Sequence, residues 1–254
     1  MFKGAFKRRN FKEWQDLQGQ MFWEGYDYSF IGKYYEIGGE QPINKDYLQL
    51  EFESLGQEAN YKLADPTLVD YYKRLNNREI LINQDIDDGI VEWTQEIVEW
   101  NREDAIKETP IADRKPIKIW INSNGGSLNA INELINICNL SKTPVYAIGM
   151  AKCYSAGGLL LMGIPKGNRY ILSSTEALIH DGSTGSYGDT GKVLDDLERT
   201  KKIEEDTKQF ILGHTKITES EYDKNYRKNW WLDANEIIEK GVADHVITDI
   251  EELF

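Results

Sequence analysis

Cysteine and histidine are scarce in this chain. Cys138 and Cys153 are its two cysteines in 254 residues, and His180, His214 and His245 are its three histidines. Two cysteines do not build a disulfide framework in a chain of this length, and a reducing, cytoplasmic setting is the expectation. Neither has a CxxC companion or a metal-ligand neighbour, so no metal site and no cofactor are expected. No apolar run is long enough to cross a bilayer. Residues 1–13 are basic and aromatic, without the apolar stretch of a secretory signal. Positive charge is also in deficit: 30 Lys and Arg against 43 Asp and Glu give a formal net charge of −13. That balance argues against nucleic acid as a principal partner, because phosphate binding needs a basic footprint. Internal repeats and low-complexity tracts are absent as well.

What is present falls into two parts. Residues 1–65 crowd Trp14, Phe22, Trp23, Tyr26, Tyr28, Phe30, Tyr34 and Tyr35 into a polar, turn-rich stretch. So many aromatics do not suit a purely solvated tail, and residues 14–35 are expected to be ordered in part against the core or a neighbouring subunit. From residue 66 to 254 the pattern alternates between α and β. Ile80-Leu81-Ile82 reads as a strand. Ile86, Ile90, Trp93, Ile97 and Trp100 recur at helical steps, and residues 101–116 read as a charged loop. Ile117-Lys118-Ile119-Trp120-Ile121 is a strand, and Leu128, Ile131, Leu134, Ile135 and Cys138 mark one helix face. Strands come next at 144–150, 169–172 and 177–180. Residues 189–213 form a long charged helix, 234–240 a last helix and 243–248 a last strand. Strand and helix in alternation imply an α/β fold with parallel pairing and right-handed crossovers.

Two short runs carry chemistry. Cys153-Tyr154-Ser155-Ala156-Gly157-Gly158 leads into the apolar Leu159-Leu160-Leu161-Met162. A serine before small residues and an apolar run reads as a nucleophile at the start of an interior helix, where unpaired N–H groups supply positive potential. Glu176-Ala177-Leu178-Ile179-His180 ends an apolar strand on a histidine that could act as its base. The plainer alternative is a helix cap and a satisfied core histidine. Ile121-Asn122-Ser123-Asn124-Gly125-Gly126-Ser127 runs a strand into paired glycines and exposes backbone N–H groups to an oxyanion or phosphate. It lacks the lysine of a P-loop, and no GxGxxG comes after it, so an oxyanion site fits better. Lys152, three residues before Ser155, could suggest a Ser-Lys dyad but reads as a surface lysine. Cys153 reads as a packing residue.

Together these runs resemble the proteolytic subunit of the Clp protease, ClpP. The resemblance extends over about residues 69–250. It includes Val69 to Leu75 with Arg78-Glu79-Ile80-Leu81-Ile82, the glycine-pair motif with Asn124 where proline is usual, and the spacing from Gly126 through Ser155 and His180 to residue 229. It closes on Trp231-Leu232-Asp233-Ala234 with Glu236, then Gly241-Val242-Ala243-Asp244. The resemblance implies a ClpP/crotonase-type fold of repeated β-α units with a protruding handle at about 181–215 and an appended N-terminal segment. It implies Ser155 as nucleophile, His180 as general base, and the backbone N–H groups of Gly126 and Ala156 as the oxyanion hole. Ser127, Leu128, Gly182 and Ser183 would flank a substrate bound as an added strand. A polypeptide substrate, a homo-oligomeric ring and two stacked rings are implied, with an AAA+ unfoldase or phage head proteins as candidate partners and no membrane.

The family's third triad member is an acid, and here its position holds Asn229. An asparagine can accept the Nδ1–H of the histidine but carries no charge for the imidazolium, and in serine proteases an Asp-to-Asn change of this kind costs about 10⁴-fold. Three readings are open for the site: Asn229 is a working third member, or Asp181, Asp223 or Asp233 fills in, or the chain is a structural ring subunit. Since the superfamily also carries crotonase-type acyl-CoA enzymes, the scaffold alone does not fix function. The best reading is an ATP-independent serine endopeptidase subunit of a self-compartmentalising ring. The long loop at 101–116 and the N-terminal segment suit a divergent, phage-type member.

Overall fold

A computed structural model describes residues 66–225 and 227–253. The N-terminal aromatic segment lies outside the described residues. The chain divides into two units, Met1–Asn77 and Arg78–Phe254. The described part of the first is helix α1, Pro66–Asn76, which opens on a proline, tolerated there because the first helical N–H has no intrahelical acceptor.

The second unit runs β1 (Glu79–Ile82), α2 (Val91–Ile106), β2 (Ile117–Ser123), α3 (Leu128–Leu140), β3 (Val145–Tyr154), α4 (Ala156–Gly163), β4 (Arg169–Ile171) and β5 (Glu176–Ile179). It continues with α5 (Thr190–His214), α6 (Glu219–Asn225), β6 (Trp230–Leu232), α7 (Ala234–Glu239) and β7 (His245–Val246). Among the described residues the strands form one seven-stranded sheet, with the path β1-β2-β3-β4-β7 parallel throughout. β3 is long enough to serve two neighbours. Its residues 147–149 pair with β4, and Lys152, Cys153 and Tyr154 pair with β5. β6 then joins β5 antiparallel, with Ile179 opposite Trp230.

The helices form where the sequence places an apolar face. In α3, Ile131, Leu134, Ile135 and Cys138 are buried, and the Ser127 hydroxyl caps the helix by accepting the Ala130 N–H at 3.3 Å. α4 is buried along its whole length, as expected of a helix that is apolar all round. Gly157 and Gly158 permit its close approach: a Cβ at Gly158 would stand 2.9 Å from the Cys153 carbonyl oxygen. Ile121 faces α4, so Trp120 beside it points to the opposite sheet face. On that face Trp120, Tyr146, Tyr170 and Leu172 pack around Ile148, Ile247 and Leu253.

Two buried arginines tie the elements together. Arg78 makes a bidentate bond to Asp104 at 2.7 Å for each contact, and the Thr143 hydroxyl donates to the same carboxylate at 2.7 Å. Arg169 reaches Asp244 at 2.8 and 2.5 Å and also donates to the His214 carbonyl. The segment expected as a loop at 101–116 is different in detail: α2 continues to Ile106, and Ile111–Asp113 is a 3-10 turn. Asp104, Asn101 and Trp100 explain the continuation, since each has its place against the body. The last strand is shorter than expected, His245–Val246. No helix among the described residues is long and apolar enough to cross a membrane.

Candidate active site

The parallel strands of an α/β sheet deliver the residues at their C-terminal ends to one edge, and ligands bind there, where neighbouring connections diverge. β2 delivers the glycine pair, β3 delivers Ser155 and β5 delivers His180. The antiparallel β6 brings its preceding residue, Asn229, to the same edge. The register fixes the last relation. Ala177, Leu178 and Ile179 face Leu232, Trp231 and Trp230, so the next step places His180 opposite Asn229.

Ser155 sits in the tight passage from β3 to α4 with φ 53° and ψ −122°. This conformation is expensive for a residue with a Cβ, about 1–3 kcal/mol, and such strain concentrates at functional sites. Its N–H donates to the Leu178 carbonyl at 2.8 Å and its own carbonyl accepts from Leu159 at 3.0 Å. The serine is thus pinned between β5 and α4, half-buried, with the N-terminus of a buried helix behind it.

The glycine pair lies against this passage. A Cβ on Gly125 would come within 2.6 Å of Ser155 Cβ, and one on Gly126 would land on the Ile86 carbonyl oxygen. Both glycines have positive φ, 102° and 146°, which only glycine adopts without strain. The Gly125 carbonyl accepts from Ile86 N at 2.8 Å, and Ser127 N donates to the Ile86 carbonyl at 2.7 Å. In a parallel bridge those two bonds face Ile86, which turns the N–H of the intervening Gly126 away from it. Ser123 holds the loop from beneath by accepting from Gly125 N at 3.1 Å and donating to the Gln84 carbonyl at 2.6 Å. Ile86, whose spacing reads as the start of a helix face, instead bridges Gly126 ahead of α2, which begins at Val91. Ser123 reads within the glycine motif without a role of its own, since nothing local marks a strand serine as a loop support.

The other expected residues take varied positions. Ser127 is extended and caps α3, while Leu128 is already its first helical residue, so an added strand on that side ends at Ser127. Gly182 and Ser183 lie in the exposed stretch 181–188, which pairs with no strand among the described residues. His180 is half-buried and Asn229 exposed. No hydrogen bond between Ser155 Oγ and the His180 ring is among those of the described residues.

The carboxylates considered as substitutes for a triad acid are engaged elsewhere. Asp223 binds Lys208 at 2.8 Å. Asp233 is the N-cap of α7 in a reciprocal capping box with Glu236. Asp181 pairs with Arg227 at 3.3 Å. Lys152 is exposed, with Nζ 3.4 Å from Asn124 Oδ1. Cys153 is fully buried, and burial pushes its thiol up to about 12, which removes it as a nucleophile. No cluster of three His, Cys, Asp or Glu among the described residues could hold a metal ion.

Comparison with known proteins gives a consistent picture. Proteolytic subunit 2 of the ATP-dependent Clp protease of Treponema pallidum is 28% identical over 181 residues, covering 70% of this chain and 85% of its own length. The corresponding subunit of Paracoccus denitrificans is 28% identical over 139 residues, covering 55% and 70%. The solved structure of an asparagine-to-aspartate mutant of ClpP1 from Listeria monocytogenes shares the fold, with a TM-score of 0.61 at 21% identity over 72% of this chain and 98% of that one. The Clp protease family model matches residues 64–250, and with that extent of agreement the chain belongs to the Clp protease family.

Proposed function

We propose that this chain is a serine endopeptidase subunit that cleaves unfolded or scaffold-type polypeptides through an acyl-enzyme. The observation that carries the reading is the strained Ser155, held beside the glycine pair at the edge where His180 and Asn229 also arrive. Ser155 Oγ attacks the peptide carbonyl while the His180 ring takes its proton. The N–H groups of Gly126 and Ala156 receive the developing oxyanion. His180 then returns the proton to the leaving amine, and water releases the acyl group by the same path in reverse. Asn229 accepts the Nδ1–H through its carbonyl oxygen and keeps the imidazole in the productive tautomer. The peptide chemistry uses no nucleotide. The subunit acts within a ring, two rings stacking through α5, and an unfoldase or phage head proteins supply or constitute the substrate.

Asn229 in place of an acid also favours a second reading, a catalytically impaired subunit whose role is assembly. Treatment with a fluorophosphonate, with intact-mass measurement and peptide mapping, separates the two. The expected result is one adduct per chain on Ser155, lost in Ser155→Ala. A parent chain that stays unlabelled under conditions that label an active serine hydrolase decides for the structural subunit.

A further inference from the structure

Two of the three proposed triad residues lie beyond the end of the bonded sheet. Ile179 and Trp230 form the last pair of the β5–β6 ladder, and His180 and Asn229 stand one step further out, outside both strands. β6 is three residues long, and Asn229 is exposed. A ladder end with so little burial opens readily. Opening there would remove the acceptor that defines the histidine tautomer.

One side chain crosses this open end. Arg227, two residues before Asn229, places Nη1 3.3 Å from Asp181 Oδ2 and 3.9 Å from Glu204 Oε1. Asp181 is the residue after His180, and Glu204 belongs to α5. The guanidinium therefore connects the chain leaving the histidine, the chain entering the asparagine and the long helix. Lys208 on α5 already binds Glu219 and Asp223 of α6 at 2.8 Å each, so α6 itself is anchored. Beyond it, Lys228 N turns back to the Asn225 carbonyl at 2.8 Å, and Arg227 sits within that turn. Its side chain is 63% exposed, and such a pair contributes little to global stability. Its value is local, because it lies at the end where the β5–β6 pairing stops beside His180 and Asn229. Both carboxylates are approached by the same guanidinium nitrogen, Nη1, so the contact needs a positive charge at this point more than a bidentate fork.

We propose that Arg227 is a positioning residue for the His180–Asn229 pair, its ion pair with Asp181 closing the open end of the β5–β6 ladder. The inference rests on the Ser155–His180–Asn229 reading above. Two measurements on the full chain test it: steady-state hydrolysis of a short unstructured peptide, and amide hydrogen exchange over residues 229–232. Arg227→Ala should lower kcat about tenfold with KM within about twofold, as expected for a misplaced catalytic pair. Exchange over 229–232 should quicken by about tenfold with an unchanged melting temperature. Arg227→Lys should recover part of both effects. The exchanged pair Asp181→Arg with Arg227→Asp should exceed either single variant. Parent-like exchange in Arg227→Ala overturns the proposal whether or not the chain turns over peptide, and so does a parent-like kcat in an active chain. Faster exchange in a chain without Ser155-dependent turnover supports the positioning role and overturns the triad reading alone.

Discussion

In the proposed triad, Asn229 is the residue on which catalytic power turns. It stands opposite His180 by register, and Asp181, Asp223 and Asp233 each have another partner or capping role. A carboxylate at 229 would add a charge to stabilise the imidazolium in the transition state without a change of side-chain size. Asn229→Asp is therefore expected to raise peptide hydrolysis by about tenfold or more, equivalent to at least about 1.4 kcal/mol of barrier. Steady-state rates of the two chains, each with its Ser155→Ala control, check this. An unchanged rate, with activity lost instead in Asp223→Ala or Asp233→Ala, would move the third member elsewhere.

At the scale of elements, the clasp of Arg78, Asp104 and Thr143 joins the start of β1, helix α2 and the connection from α3 to β3. Asp104 is 4% exposed. Burial raises its pKa, but hydrogen bonds from Arg78 and Thr143 and the charges of Arg78 and Arg114 outweigh that and hold it below the ordinary carboxylate value. A folded-state pKa below the unfolded one means the contribution is present above the unfolded value and is lost as pH falls through the folded one. Asp104→Asn leaves the buried guanidinium with only the more distant Glu103 carboxylate, 3.7 Å away, and should cost about 3 kcal/mol at pH 7. Urea titrations from pH 7 to pH 3 should show the difference shrinking toward acid; a constant difference would count against the assignment. This clasp also shows how far the sequence could be read. The apolar periodicities located most helices and strands, and the expected nucleophile and base runs end on the residues that the sheet brings to one edge. Residues 101–106 looked like loop because their charges are local features, whereas Asp104 finds its partners at Arg78 and Thr143. β6 was missed for the same reason: Trp230-Trp231-Leu232 is too short for periodicity to show, and its strand character comes from pairing with β5. With β6 came the register that places Asn229, and Arg227 had no visible purpose until Asp181 and Glu204 lay beside it.

At the scale of the whole molecule, two apolar surfaces among the described residues are left only partly covered. One is the sheet face around Trp120, Tyr146 and Tyr170, against which Leu253 of the C-terminal turn Ile250–Leu253 packs. The other is α5. At 25 residues it is about 38 Å long, yet Ile211, near its end, is its one buried residue. Isolated helices depend on tertiary packing of an apolar face for most of their stability. Here Leu194 and Leu197, three apart on one face, are 55% and 50% exposed, and Ile203 is 38% exposed. In the proposed assembly another copy completes this helix, two rings meeting through their α5 helices. Leu194→Asp with Leu197→Asp places charge in that contact and should halve the mass of the assembly while each ring persists, since both side chains are exposed on the subunit itself. Multi-angle light scattering at micromolar concentration reads the mass, and circular dichroism shows whether the subunit fold remains. A parent chain that is monomeric at this concentration would overturn ring assembly altogether. A variant with the parent mass and intact helical signal would instead move the ring contact away from α5.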